Sequence, residues 1–311
     1  MKKICVIGGG TGSYTILMGL KKHNVSITSI VAMSDDGGSS GILRDEFGIL
    51  PPGDVRKCIT ALSESPEIMR TLFQYRFEKG GIKGHTFGNL LITALKEITN
   101  NDYEAIKLAC KIFSVRGKVI PVTLDDIRLN AELEDGKIIR GESKIDIPEH
   151  DGKLNIKRLF LDKVAKANPD AINAILEADL IVMGPGDLYG SIISNLLVDG
   201  ISDAIINSHA KKVYVCNIMT KYGETHGFDT SDFYKTIISY LGKDCIDYFV
   251  VNNSNIDERL ISNYLSENAS PVKINISGIN ANCIRADVLS QNSMARHDSE
   301  KLANVIVSLL Q

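Results

Sequence analysis

Five short apolar segments in this sequence are each followed directly by a polar or glycine-rich loop. The loops occupy residues 8–12, 34–41, 184–187, 217–225 and 252–255. Segments with helical periodicity lie between them, so strands and helices alternate along the chain. The carboxyl ends of parallel strands open onto one edge of a sheet. We therefore predict an α/β fold, a Rossmann-like and mostly parallel sheet with helices on both faces, whose loops line one cleft.

The middle of the sequence has a different pattern. Apolar and polar residues alternate over 127–133, and Asp135-Gly136 is a turn signal. Residues 138–140 are predicted to form a second strand that runs back along the first. Asp151-Gly152 suggests a second hairpin. We predict an antiparallel β-hairpin insertion over residues 119–160, within a single domain of residues 1–311. Residues 271–276 are predicted as a late strand, with Arg296 at the start of the final helix.

Composition excludes several classes of protein. Lysine and arginine number 35 against 38 acidic residues, a net charge of −3, which does not favour nonspecific nucleic-acid binding. No segment approaches the roughly 18 apolar residues of a membrane span, and the apolar run after Met1 is too short for a signal peptide. The six cysteines are scattered without a C-x-x-C pair. We expect a cytoplasmic protein with reduced thiols, no membrane span and no nucleic-acid partner.

The loop Gly8-Gly9-Gly10-Thr11-Gly12 is the first candidate binding site. Glycines let the backbone approach a phosphate, and the following helix N-terminus favours an anion. The sequence is neither a complete G-x-G-x-x-G nor a P-loop, and a tight structural turn is the alternative. We expect Gly10→Val to block binding and to leave the fold intact.

Asp35 and Asp36 end the second predicted strand. An acidic residue at this position binds ribose hydroxyls in dinucleotide enzymes. Because Gly38 and Ser39 follow closely, the two carboxylates are alternatively a Mg²⁺ site beside a phosphate. The third interpretation is a solvated acidic turn.

Further candidates lie where predicted helices begin or predicted strands end. Asp54 is expected to cap a helix that starts at Val55, and Arg56 lies in its first turn, where a cation opposes the helix dipole unless an anion is bound. For each of these positions a capping or solvent-exposed role is the alternative. The remaining candidates are His85, Asn89, Gly184, Gly186, Asp187, Tyr189, Asn217 and Arg296.

Motifs of several enzyme classes are missing from the sequence. It contains no G-x-S-x-G, no H-E-x-x-H and no paired Cys/His set. No nucleophile stands out, so no catalytic residue is predicted. Any chemistry would be centred on a metal ion and a phosphate.

Taken in order, the loops resemble the bacterial gluconeogenesis factor (YvcK-like) family, which is related to the CofD-like 2-phospho-L-lactate transferases. The resemblance extends over almost the whole chain. It rests on residues 7–12, 35–41, 51–56, 88–91, 116–119, 184–189, 216–220, 223–225 and 296–297.

The resemblance implies a Rossmann-like nucleotide-sugar binding protein. The implied ligand is a UDP-sugar. The resemblance is compatible with bound Mg²⁺, and NAD is not expected as a ligand. The implied role is in cell shape and envelope growth on gluconeogenic carbon sources, with envelope-regulating proteins as partners and a homo-oligomer as an option.

Two other functions remain open at this point. The resemblance offers a Mg²⁺-dependent transferase that moves a phospholactyl group from a nucleotide-activated donor to a deazaflavin. The glycine turn with Asp35 or Asp36 offers an NAD-dependent oxidoreductase, although the incomplete glycine pattern weakens it. We favour a binding and regulatory protein over an enzyme.

Overall fold

A computed structural model describes residues 1–290 and 294–310, so residues 291–293 and 311 of the predicted domain lie outside the described part. The strands are β1 (Lys2–Gly8), β2 (Val25–Val31), β3 (Lys118–Pro121), β4 (Leu129–Leu133), β5 (Ile138–Arg140), β6 (Ile156–Leu161), β7 (Leu180–Met183), β8 (Lys211–Val215), β9 (Tyr248–Asn252) and β10 (Asn282–Ala286). The first helices are α1 (Gly10–Leu20), α2 (Gly38–Phe47), α3 (Pro52–Leu62), α4 (Glu67–Gln74), α5 (Phe87–Thr99), α6 (Asp102–Ile112) and α7 (Glu142–Asp146). They are followed by α8 (Pro169–Leu176), a π-helical turn (Leu188–Ile193) that continues into α9 (Ser194–Leu196), and then α10 (Ile201–Asn207), α11 (Thr230–Leu241), α12 (Glu258–Leu265) and α13 (Ser299–Ser308).

Seven parallel strands form the large sheet, in the order β10-β9-β8-β7-β1-β2-β3. The chain builds outward from β1 to β3 and then returns to build from β7 to β10. Because parallel crossovers are right-handed, the two directions place their helices on opposite faces. The predicted α/β class, with a mostly parallel sheet, is confirmed.

The centre of the sheet is the core of the molecule. Every residue of β7 is buried, as are the last five of β1. Such continuous apolar runs are typical of parallel strands covered on both faces. On one face, Gly19 of α1 brings that helix so close to α13 that an added Cβ would lie 1.9 Å from the Ser299 carbonyl oxygen.

A small antiparallel sheet of order β5-β4-β6 interrupts this pattern. The hairpin of β4 and β5 is confirmed. The hairpin predicted at Asp151-Gly152 is wrong, because β6 pairs with β4 and the helix α7 lies between β5 and β6. The antiparallel part also begins at Leu129 instead of residue 119, since β3 pairs with β2 in the large sheet.

Three other local predictions need correction. Helix α3 begins at Pro52, so Asp54 lies in its first turn and does not cap it; proline favours this first helical position. Residues 271–276 make only isolated bridges at Pro271 and Lys273, and the late strand is β10. Arg296 precedes α13, whose cap is Asp298.

Candidate functional site

The loops after β1 and β7 meet where the strand order reverses. Ligands of open α/β sheets bind at this switch point, outside the carboxyl ends of the strands. A cavity of about 490 Å³ lies there. Its walls come from the loops after β1, β2, β7 and β8, from the start of α3, from α7 and from residues 295–297. The predicted convergence of distant loops therefore occurs, except that residues 252–255 lie outside this cavity.

The first glycine loop forms one wall of the cavity. Gly9, Gly10, Thr11 and Gly12 all line it, and no side chain of the described residues caps α1 at Gly9. The first amides of α1 are thus available to an anion. Gly10 has φ +61°, a backbone conformation that side chains rarely adopt. The expectation that Gly10→Val leaves the fold intact stays a prediction, and the positive φ at Gly10 adds backbone strain to that variant.

Two more helical segments begin at the cavity without a side-chain cap. Helix α2 starts after Gly37, and the π-helical turn starts after Asp187. Gly38, Gly186 and Asp187 line the cavity with Gly37. Three helical N-termini that no described side chain caps therefore open into one cavity, an arrangement suited to several phosphate oxygens.

Asp35 and Asp36 point in different directions. Asp35 lines the cavity, whereas the Asp36 carboxylate accepts a hydrogen bond from the Ser143 amide at 2.8 Å and lines another cavity. Burial, together with the charge of Asp54, raises the pKa of Asp35. The paired Asp35–Asp36 metal site is wrong in its geometry, since only Asp35 faces the site.

Asp54 and Lys57 form the charged pair of the cavity. The Lys57 ammonium donates to Asp54 Oδ1 at 3.1 Å, and both side chains line the cavity. Burial alone would lower the pKa of Lys57, but the charges of Asp54 and Asp35 raise it. Lys57 is thus a permanent cation close to the uncapped start of α1.

Asp35 and Asp54 fit a Mg²⁺ ion better than Asp35 and Asp36 do. Mg²⁺ is commonly held by one or two carboxylates together with substrate phosphates and waters. The repulsion that raises the pKa of Asp35 would be relieved by a cation between these carboxylates. Residues 1–290 and 294–310 contain no group of three histidine, cysteine or acidic side chains placed to hold a metal, so phosphate oxygens would have to complete the site.

The antiparallel insertion supplies a wall that sequence reasoning missed. Glu142, Ser143 and Asp146 of α7 line the cavity. Burial, with the charges of Asp35 and Asp146, raises the pKa of Glu142 to about 9. At neutral pH its carboxyl group holds a proton and can donate a hydrogen bond to a ligand oxygen. No motif in the sequence marks this residue.

Lys221 joins the insertion to the loop after β8. Its ammonium contacts Asp146, Asp187 Oδ2 at 3.5 Å and Glu224 Oε1 at 2.8 Å. These charges raise the pKa of Lys221, although burial alone would lower it. The single positive charge of the lysine offsets part of the negative charge of Asp146 and Asp187, which line the cavity, and so weakens their repulsion of an anionic ligand.

Four predicted ligand residues lie behind the cavity instead of in it. Arg56 Nε donates to Asn89 Oδ1 at 2.9 Å, the Asn89 amide donates to Ser39 Oγ at 3.0 Å, and Ser39 Oγ is 3.0 Å from His85 Nδ1. All four are buried and none lines the cavity. This buried polar chain joins the starts of α2, α3 and α5. The geometry therefore gives Arg56 a local partner, so the helix-dipole argument for a bound anion fails.

The remaining candidates divide in the same way. Asn217 and Arg296 line the cavity, and the buried Asn217 Oδ1 has no hydrogen-bond partner among the described residues. Tyr189 is in the core, and Gly184 does not line the cavity, although Pro185, to which it is joined by a cis peptide bond, does. His297 also lines the cavity; burial lowers its pKa to about 4, and Nε2 lies 3.1 Å from the Cys216 carbonyl oxygen.

Lys57 and Ser191 are further lining residues that were missed. The spacing of Asp54 and Lys57 on one helix was a usable signal, because residues three apart lie on the same helical face. Ser191 lies in the π-helical turn and carried no signal in the sequence.

Comparisons with known proteins agree with this architecture. The model of the family described as 2-phospho-L-lactate transferase CofD matches residues 4–292. Proteins named as gluconeogenesis factors from Thermoanaerobacterium thermosulfurigenes and Bacillus subtilis are 45% and 42% identical to the chain; each match covers 99% of this chain, and 97% and 98% of the relatives.

A solved structure supports the same relationship. The crystal structure of a UPF0052 family member from Bacillus halodurans matches with a TM-score of 0.95 and 42% sequence identity, over 99% of this chain and 100% of that one. Sequence and fold therefore agree that this chain belongs to the CofD family, among the relatives named gluconeogenesis factors.

Proposed function

We propose that the chain is a gluconeogenesis factor that binds a nucleotide sugar, with a UDP-sugar as the first choice, in the cavity at the switch point. The observation that carries this proposal is the convergence of three uncapped helical N-termini on one cavity. The diphosphate would lie against these amides.

Two further features support a ligand with more than phosphates. The unpartnered Asn217 Oδ1 requires a donor, which a sugar hydroxyl or a base N–H supplies. The volume of about 490 Å³ is within the range of small-molecule sites.

The carboxylates of the cavity are compatible with an anionic ligand. Lys57 pairs with Asp54, the single charge of Lys221 is shared by Asp146, Asp187 and Glu224, and Glu142 holds a proton. Asp35 forms no salt bridge with the described residues, and it is the residue that a Mg²⁺ ion accompanying the diphosphate would contact. We propose Mg²⁺ as an accessory ion on this basis.

The name of the relatives supports the link to gluconeogenesis, and the rest of the cellular proposal comes from the family resemblance. We propose a role in cell shape and envelope growth under gluconeogenic conditions, exerted through envelope-regulating proteins in the cytoplasm. In residues 1–290 and 294–310, no helix has the length and apolar character of a membrane span.

The direct test is a calorimetric titration with UDP-N-acetylglucosamine, GDP, NAD and UMP, with and without Mg²⁺. We expect the UDP-sugar to bind below millimolar concentration, more tightly with Mg²⁺, and NAD not to bind. If no UDP- or GDP-sugar binds below millimolar concentration, the proposal is wrong.

The second candidate function is the transferase that the family model names. We expect no phospholactyl transfer to a deazaflavin acceptor in the presence of Mg²⁺. Detection of the product by mass spectrometry would replace the binding role by the enzymatic one.

Arg296→Ala should weaken nucleotide-sugar binding by about 1.5–3 kcal/mol, the range for hydrogen bonds to charged groups. Arg296 is exposed at the mouth of the cavity, where its guanidinium reaches a diphosphate in a bidentate manner. Thermal stability without ligand should change little, because exposed positions contribute within about 0.5 kcal/mol. The matched control is Arg285→Ala on β10, an exposed arginine outside the cavity. Equal affinities of parent and Arg296→Ala would contradict the assignment.

Glu142→Gln should remove a loss of affinity that the parent shows at high pH. The pKa of Glu142 is about 9, so its carboxyl group is neutral at lower pH. At higher pH it is negatively charged and repels the diphosphate. We expect the parent to bind roughly tenfold more weakly at pH 10 than at pH 8, measured without Mg²⁺. Titration of the ligand itself affects both proteins equally, so parallel pH profiles would show that Glu142 does not face the ligand.

A further inference from the structure

A second cavity, of about 540 Å³, lies at the opposite edge of the large sheet. It is bounded by the first halves of β1, β2 and β3 and by the helices α6 and α8. None of the sequence-predicted site residues lines it. Its volume is within the range of sites for small molecules. We call it the amino-edge groove.

The floor of the amino-edge groove is polar. Ser26 and Thr28 are two positions apart on β2, so their side chains point to the same face of the sheet. Interior strands of parallel sheets are normally apolar on both faces. Both residues are only half-buried, and neither hydroxyl has a hydrogen-bond partner among residues 1–290 and 294–310. The hydroxyls are therefore available to a ligand.

The rim of the groove carries an excess of cations. Lys3 pairs with Glu177 at 2.9 Å, and Lys107 pairs with Glu104. Lys111 and Lys118 also line the groove, and they form no ion pair in the described part of the chain. Lys118 also lies near the Glu177 carboxylate, whose pKa it lowers together with Lys3, so an anion would share Lys118 with Glu177 and would have Lys111 as its second cation.

The other side of the groove offers hydrogen-bond acceptors. The Asp170 carboxylate accepts from the Tyr103 hydroxyl at 2.8 Å and retains further lone pairs. Asn173 lies one helical turn further along α8 and lines the same wall. A carboxylate and an amide in this position can accept hydrogen bonds from the hydroxyl groups of a ligand. The negative charge of the carboxylate would repel a second phosphate.

We propose that the amino-edge groove binds a hydroxylated phosphate monoester of sugar-phosphate size. The phosphate lies between Lys111 and Lys118, and the hydroxyls contact Asp170, Asn173 and the floor at Thr28. This site goes beyond the nucleotide-sugar proposal and does not depend on it, because the two cavities share no lining residue.

The test is calorimetric titration of the full chain with glucose 6-phosphate, glucose and inorganic phosphate. We expect glucose 6-phosphate to bind more tightly than inorganic phosphate, and glucose not to bind. The double variant Lys111→Gln/Lys118→Gln should lower the affinity for glucose 6-phosphate at least about tenfold, the effect of losing hydrogen bonds to a charged group. The control Lys79→Gln/Lys83→Gln removes the same charge from exposed lysines away from the groove and should change nothing.

The variant Thr28→Val distinguishes binding in the groove from a general effect of charge. Valine keeps the shape of threonine and removes the hydroxyl, so we expect a roughly two- to tenfold loss of affinity with unchanged charge. The proposal is overturned if glucose 6-phosphate does not bind, if it binds no more tightly than inorganic phosphate, or if both lysine pairs weaken it equally. Displacement by UDP-N-acetylglucosamine would place the sugar phosphate in the other cavity and would also overturn it.

Discussion

Lys221→Met is expected to lower the free energy of unfolding by about 3 kcal/mol at pH 8, the lower end of the range for breaking a buried ion pair. The substitution leaves Glu224, whose side chain is 2% exposed, beside Asp146 and Asp187 without a cation. The lower end applies because Lys221 itself is 29% exposed. Urea denaturation monitored by circular dichroism measures the difference.

The loss should shrink as the pH falls. Burial, opposed by Lys221, raises the pKa of Glu224 to about 7, above the value of an unfolded glutamate. The Glu224 carboxyl group therefore binds its proton more tightly in the folded state than in the unfolded state. A variant without Lys221 consequently regains stability when the pH is lowered from 8 to 5 and Glu224 becomes neutral. Lys221→Met/Glu224→Gln should recover part of the loss, and Lys163→Met, an exposed lysine, is the control. An equal loss at both pH values would contradict the ion-pair account.

Gly12→Ala should destabilise the protein by about 3 kcal/mol and abolish nucleotide-sugar binding. Alanine is favoured over glycine in a helix by about 1 kcal/mol, so propensity alone would make the variant more stable. However, an added Cβ would lie 2.1 Å from the Pro185 carbonyl oxygen and 2.7 Å from Gly186 Cα, both backbone atoms. Overpacking typically costs about 1–3 kcal/mol, and contact with backbone atoms favours the upper end of this range. The clash is relieved only if the loop after β7 moves away from the cavity.

Gly81→Ala is the matched control, because an added Cβ there meets no atom within 4 Å. It should change the free energy of unfolding by no more than about 0.5 kcal/mol. If Gly12→Ala were as stable as Gly81→Ala and bound ligand normally, the loops after β1 and β7 would not be in the contact that defines the cavity.

The alternation of apolar strands and polar loops predicted the large sheet because both signals are local. Strand β1 and the glycine loop that follows it are adjacent in sequence, so their geometry depends on few residues. The pairing of β6 with β4 depends on residues far apart, and no turn signal encodes it. The predicted second hairpin failed for that reason.

The parts of the site that the sequence did not predict depend on contacts between segments that are far apart in the chain. Asp35 and Asp36 are neighbours, yet the amide of Ser143 from the insertion captures Asp36. Arg56 was interpreted as an anion ligand from its place in a helix, but Asn89 on another helix satisfies it. Glu142 enters the cavity from the antiparallel insertion. Each case depends on a contact between distant segments, which one sequence does not reveal.

The position of β1 between β2 and β7 has a consequence for the synthesis of this protein. The glycine loop is made before its opposite wall, which follows β7, and α1 packs against α13, which is made later still. A nascent chain that stops before β7 carries β1 with one edge unpaired, a surface prone to aggregation. The cavity at the switch point therefore forms only after β7 has left the ribosome, so the proposed nucleotide-sugar binding would be a late event of translation.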